Sequence, residues 1–245
     1  MFAVAREVRP VPNRGLQTIA PPRRRFLLPA YSVAEAARLA QTTSPTVSRW
    51  HHGYGPSYAR PGTKVLHGRE LGAPLSYLQL VELAFVATLR GMRITLKRIR
   101  AAHGYLMRRF DVEYPFAQLR LQTEGTHILK DLEAEEGRWV EMLVVASKDG
   151  QLVWKEMIAD RLREFVYGRH GWAVRWYPRG KDVPIVVDPL IAFGAPILLK
   201  SGVPTAVLRE RFEAGEPEEE ISEDFGVSQA HLRVALNFEG IPLAA

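Results

Sequence analysis

Between Tyr31 and His52, apolar positions recur at helical spacing in two short blocks. Ser32 and Glu35 have the S-x-x-E spacing of a capping box. Val33, Ala36, Ala37 and Ala40 then share one helical face. Gln41-Thr42-Thr43 makes a turn. Ser44 is expected to cap a second helix, with Pro45 in its first position, where a missing amide costs nothing. Val47 and Trp50 sit three apart and face inward, and Gly53 ends the unit. The Gly- and Pro-rich residues 53–74 predict a long loop or wing interrupted by Lys64-Val65-Leu66. Ser76 and Gln79 form another capping box, and Tyr77, Leu78, Val81, Phe85 and Leu89 predict a largely buried helix stopped by Gly91. Thr95 caps a further long helix with Leu96, Ile99, His103, Leu106 and Phe110 on one side.

From about residue 118 the period changes. Leu119 and Leu121 alternate with polar neighbours. Residues 141–146 and 151–154 flank Lys148-Asp149-Gly150, a hairpin turn signal. A short helix fits 155–163. Phe165 to Tyr167 and Trp172 to Trp176 flank Gly168–Gly171 as a second hairpin. Ile185–Val187 and Ala195–Leu199 read as short strands broken by Asp188-Pro189 and Gly194. Three helices close the pattern. Thr205–Ala214 has Val207, Leu208 and Phe212 inward. Pro217 starts a helix reaching Phe225, with Ile221 inward. Ser228 caps the last, with Leu232, Ala235 and Leu236 inward, so the final pair has helix-turn-helix spacing.

The expected fold class is therefore α+β and mainly helical. The expected divisions are a basic arm at 1–28, a helical unit at 29–117, a β-rich unit at 118–183 and a trihelical unit at 184–245. Residues 1–28 carry six arginines among prolines at 10, 12, 21 and 22, which predicts an extended arm.

Charge sharpens this picture. The net +6 hides a split: residues 1–120 hold 19 Lys/Arg against 6 Asp/Glu, residues 121–183 are near neutral at −1, and residues 184–245 stand at −6. A basic half attracts phosphate backbone, and an acidic end suits a basic protein partner. There are no cysteines, which excludes disulfides, thiolate metal sites and cysteine nucleophiles. The run Leu75–Leu89 is too short and too polar to span a bilayer, and Met1–Arg14 lacks a secretion-type apolar core, so a cytoplasmic protein with no membrane contact is expected.

The second helix of the 31–52 unit should present Ser44, Thr46, Ser48 and Arg49 away from its packed side. Small hydroxylated residues permit close groove approach, and an Arg reads guanine or phosphate. These four, with Lys64 in the wing, are the candidate DNA-binding residues. The acidic stretch from Glu216 to Asp224 argues against DNA contact by the C-terminal pair, where only His231 and Arg233 oppose it. Seven histidines show no metal-ligand spacing, and no nucleophile elbow, Walker loop or dinucleotide fingerprint occurs, so neither enzyme nor cofactor is expected.

Two resemblances follow from these residues. Tyr31–Ala40 with Ser44–Trp50, followed by Gly91–Ile99, resembles the DNA-binding start of MerR-type regulators, which implies a winged helix-turn-helix with its wing near Tyr58–Leu66. Asp188–Ile197, Val203-Pro204, Arg211–Gly215, Glu219–Ile221 and Asp224–Gly226 resemble the domain family of unknown function number 433. Lys200-Ser201-Gly202 stands where that family usually has Gly-Thr-Arg. The combination resembles VapB-type antitoxins. It implies a homodimer that neutralises a PIN-like ribonuclease toxin and represses its operon by binding operator DNA. The resemblance leaves open whether the acidic surface or Glu239–Ala245 meets the toxin. A MerR-like regulator with no toxin, or a structural adaptor, remains the competing class.

Overall fold

The computed structural model describes residues 21–53, 64–66, 69–70, 72–118 and 161–242. The 1–20 part of the arm, most of the wing (58–63), the alternation at Leu119 and Leu121, the hairpin centred on Asp149-Gly150 and most of the 155–163 helix lie outside the described residues.

The chain becomes helical earlier than expected. Helix α1 spans Pro21–Leu27, where an extended arm was predicted. Proline is compatible with the first turn of a helix, whose amides have no intrahelical partner, so the two prolines begin the helix instead of breaking it. Phe26 is buried, its ring 5.7 Å from Tyr77. Strand β1 (Pro29–Tyr31) then pairs antiparallel with β2 (Leu75–Ser76).

Helices α2 (Val33–Leu39) and α3 (Ser44–His52) form the expected pair. The Ser32 side chain caps α2 by accepting from the Glu35 amide at 3.1 Å. At α3 the cap lies one residue earlier than predicted. Thr43 is the extended N-cap residue and Ser44 is already helical. Gln41 makes the turn in a left-handed conformation, φ 54°. Ala36, Ala37, Leu39, Val47 and Trp50 are buried, which leaves the opposite side of α3 to solvent.

Helix α4 (Tyr77–Gly91) is the centre of the molecule. It carries the reciprocal Ser76–Gln79 capping box, and Tyr77 to Val86 are buried without interruption. It touches α1, α2, β1, β2 and α5 (Leu96–Phe110), as well as the sheet described next. Each fully buried Leu, Val or Phe here contributes about 1.5–3 kcal/mol.

Strands β3 (Phe165–Tyr167), β4 (Ala173–Trp176), β5 (Ile185–Val187) and β6 (Pro196–Leu198) form one antiparallel sheet in that order. Phe165 faces Trp176, Trp176 faces Val187, and Ile185 faces Leu198. Strands from the expected middle and C-terminal units therefore share one sheet across the 183/184 division. Helices α6 (Thr205–Glu213), α7 (Glu218–Phe225) and α8 (Gln229–Phe238) follow, packed through Leu208, Ile221, Leu232, Ala235 and Leu236. Pro217 is the N-cap of α7, not its first residue, and β6 omits Ala195 and Leu199. The fold is α+β, and no helix among the described residues is long and apolar enough to cross a membrane.

Candidate nucleic-acid interface

The α2–α3 pair sets the geometry of the site. With Val47, Trp50 and His51 buried, α3 turns Arg49 to solvent and leaves Ser44, Thr46 and Ser48 half-exposed. Thr46 shares a 2.9 Å hydroxyl contact with Thr43, and Arg49 Nε donates to the Pro45 carbonyl at 3.1 Å. That last bond folds the guanidinium stem back along its own helix, which keeps a long side chain ordered on an exposed face.

Lys64 lies far along the chain but is brought to the end of α3. The amides of Val65 and Leu66 both donate to the Trp50 carbonyl, at 2.8 and 3.0 Å. They satisfy an end-of-helix carbonyl that has no intrahelical partner. Arg100 of α5 donates from Nε to the Lys64 carbonyl at 3.0 Å. Arg49, Lys64 and Arg100 thus come from three separate segments held together by bonds to the backbone. Arg93 and Lys97, both exposed, continue the positive charge along the start of α5. Ser44, Thr46, Ser48 and Arg49 lie on α3, and backbone bonds bring the Lys64 segment and Arg100 to its end. The α5 arginines were visible in the sequence, but the bond that selects Arg100 from among them is between residues 36 apart.

His52 closes the lower edge. Arg69 Nη1 lies 3.1 Å from His52 Nε2. A guanidinium has only donors, so Nε2 accepts and the ring proton sits on Nδ1. Burial first, then Arg69 and Lys64, lower the imidazole below its ordinary range.

A buried polar pair joins α4 to α5. His103 Nε2 lies 2.7 Å from Glu82 Oε2, and both side chains are almost wholly buried. Glu82 Oε1 accepts the amides of Phe116 and Ala117, at 2.7 and 3.2 Å. Both oxygens of this buried side chain thus have partners inside the protein, as buried polar groups require. Among the described residues, no group of His, Asp and Glu side chains is arranged to hold a metal ion.

The C-terminal helices show the opposite electrostatics. Glu219, Glu220, Glu223 and Asp224 of α7 are exposed. Arg233 Nε donates to Glu218 at 2.7 Å, and Arg211 binds both Glu216 and Asp224. Those carboxylates hold the Arg211 guanidinium charged well above its ordinary range. The arginines of this face are occupied by neighbouring carboxylates.

The hairpin and three helices from Ile185 to Phe238 carry a family signature. Residues 185–238 match the family described as protein of unknown function DUF433. The DUF433 match begins on β5 and ends on the last residue of α8, so it covers the β5–β6 hairpin and the three-helix unit together. Beyond this segment, the chain is 26% identical over 228 residues to "Putative antitoxin VapB45" of Mycobacterium tuberculosis, covering 87% of this chain and 95% of that protein. It is 25% identical over 233 residues to the uncharacterized protein Rv2308 of the same organism, covering 85% and 89%. The crystal structure of Rv2018 from Mycobacterium tuberculosis has the same fold, with a TM-score of 0.69, 24% identity, and 86% of this chain and 99% of that chain covered.

Proposed function

We propose that this chain is the antitoxin of a type II toxin–antitoxin pair. In this reading it acts in the cytoplasm as a homodimer, neutralises a PIN-like ribonuclease toxin, and represses its own operon by binding operator DNA through α2 and α3. It is a non-enzymatic regulator. The observation that carries the reading is the end-to-end likeness to a putative antitoxin, which runs through both the basic and the acidic halves.

The polarity of the molecule supports a division of labour. The α2–α3 pair, as a MerR-like helix-turn-helix, would place α3 in the major groove. Ser44, Thr46 and Ser48 allow close approach there, Arg49 reaches a base edge or phosphate, and Lys64 holds the flanking backbone. Arg100, tied to Lys64, adds a phosphate contact beside it. The DUF433 segment would serve toxin binding through its acidic α7 face. Its exposed carboxylates repel phosphate, and both Arg211 and Arg233 are paired, so the α7–α8 pair is the one that does not read DNA.

The experiment is expression of the chain with its operon neighbours, followed by purification of the native complex and mass measurement. A stoichiometric ribonuclease whose RNA cleavage is suppressed in the complex is the expected result. A complex free of any ribonuclease overturns the antitoxin reading. If such a protein still binds its promoter, it is a MerR-like regulator without a toxin.

A further inference from the structure

The loop joining β5 to β6 holds its backbone in an unfavourable conformation and displays apolar side chains. Ala192 and Phe193 are both left-handed, at φ 45° and 54°, and Gly194 follows at φ 86°. Consecutive non-glycine residues in this region cost about 1–3 kcal/mol each. The loop is nonetheless tightly built. Asp188 Oδ1 accepts the Leu190 amide at 2.9 Å, and its other oxygen takes two bonds from Arg175, at 3.0 and 2.8 Å. The amides of Ile191, Gly194 and Ala195 each bond a carbonyl three residues back. Tyr31 anchors the Gly194 carbonyl from outside.

Ala192 packs inward against Tyr177, Val186 and Ile197. Its neighbours consequently point out: Phe193 is 85% exposed, Leu190 48% and Ile191 38%. The loop's own hydrogen bonds and the inward Ala192 hold the strained backbone, but the Phe193 ring itself is left uncovered. A partner that buries the ring supplies that cover.

The chemistry of the patch selects the partner. Residues 189–199 contain no charged side chain. The three exposed side chains offer roughly 300 Å² of apolar surface, taking about 150–250 Å² for a whole aromatic. This suits the centre of an interface of about 800 Å² per partner. Homodimer interfaces are the most apolar and charge-poor class, and an uncharged apolar patch is complementary to itself across a twofold axis. A partner chosen by charge would instead meet the acidic face of α7.

We propose that the Leu190–Phe193 loop is the homodimer contact, with Phe193 of each copy packed against Leu190 and Ile191 of a second copy of this chain. This rests on the dimeric part of the proposed function and is independent of toxin and operator.

The test uses the full-length protein alone, without DNA or toxin. Sedimentation or light scattering should give twice the 27.6 kDa chain mass for the wild type. Phe193→Asn should weaken the dimer by about 30-fold or more. Asparagine tolerates the left-handed backbone, so circular dichroism of this variant should stay native. Because the chain has no cysteine, Leu190→Cys, which keeps the Phe193 ring, with a short bis-maleimide should give a covalent dimer. Leu199→Cys, 42% exposed just past the far end of β6, should not. A monomeric wild type, a Phe193→Asn variant that stays dimeric, or equal cross-linking at both positions overturns the proposal. Operator titration reports separately on the DNA reading, so the two can fail independently.

Discussion

The Tyr31 hydroxyl donates a 2.9 Å hydrogen bond to the Gly194 carbonyl, 163 residues away in the chain. Tyr31 ends β1, directly before the α2–α3 pair, and Gly194 sits in the β5–β6 loop, within the residues that match DUF433. Burial, with Glu35 and Asp188 nearby, pushes the phenol far above its ordinary range, so it stays a neutral donor. A Cβ on Gly194 would lie 2.2 Å from the Tyr31 oxygen, on a backbone at φ 86°. Gly194→Ala should therefore cost about 2–4 kcal/mol, by clash and by strain together. Tyr31→Phe should cost about 1–2 kcal/mol, the value of one buried bond. Denaturant unfolding of Gly194→Ala, of Tyr31→Ala and of that double variant measures the coupling. The alanine at 194 should be less damaging once Tyr31 is shortened to Ala.

A second link joins the same halves. Glu239, just beyond α8, has an almost wholly buried carboxylate. Arg38 of α2 lies 3.2 Å from it, Arg209 of α6 3.5 Å, and the Thr205 hydroxyl donates to it at 2.5 Å. Arg38 also lies over the Phe238 ring, 5.4 Å from its centroid. Removing one partner of a buried ion pair costs more than the pair is worth, because the other charge is stranded. Glu239→Ala should lower unfolding stability by about 2–4 kcal/mol. Arg38→Ala should lower it by less, since its side chain is one-third exposed. Equal losses in thermal or denaturant unfolding would remove Glu239 as the hub.

The features legible in the sequence are those that a few neighbouring residues decide. The Ser76–Gln79 capping box, the inward Val47 and Trp50, and the Phe165–Trp176 hairpin are all local patterns, and each appears in place. Helix α1 departs from expectation because a proline breaks a helix only beyond its first turn, and the turn it occupies is not written in its own identity. At α3, Thr43 and Ser44 are equally able to serve as the cap, and local pattern does not choose between them. The links from Tyr31 to Gly194, Arg38 to Glu239 and Arg100 to Lys64 have no local signature. Each depends on where α4 and the sheet place distant segments. Phe193 was legible as apolar, and its exposure was not, because that follows from two left-handed residues that only the hydrogen-bonded loop enforces.

His52 gives a pH test with a definite sign. Its imidazole is held below the ordinary 6.5 by burial and by the cations Arg69 and Lys64. The unfolded chain therefore takes up the proton first on acidification. A depressed folded value means the contribution to stability is present above about pH 6.5 and is lost as the pH falls below it. The effect should be small, because the ring is partly open to solvent that screens the two cations. Thermal midpoints measured from about pH 7 to 5 should fall more in the wild type than in His52→Gln, whose amide oxygen can still accept from Arg69. Parallel curves for the two proteins would show that His52 does not titrate in this way.

Arg49 and Arg233 offer a test of which helical pair, if the proposed function holds, binds DNA. Arg49 is exposed on the basic side, whereas Arg233 is bound to Glu218 on the acidic one. Each phosphate neutralised releases counterions, so the slope of log affinity against log salt falls by about 0.9 for every phosphate that is no longer neutralised. If Arg49 holds a phosphate, Arg49→Ala should reduce that slope by about one and weaken all sequences alike. If it reads a base, the slope should hold while preference for the operator falls, by about 1–3 kcal/mol. Lys64→Ala should behave as the phosphate case. Arg233→Ala should leave both slope and preference unchanged, and Glu219→Gln with Glu223→Gln should at most strengthen non-specific binding by lifting repulsion. An Arg49→Ala protein with unaltered affinity and slope would remove α3 from the interface. Weaker binding by Arg233→Ala would place the DNA on the α7–α8 pair instead.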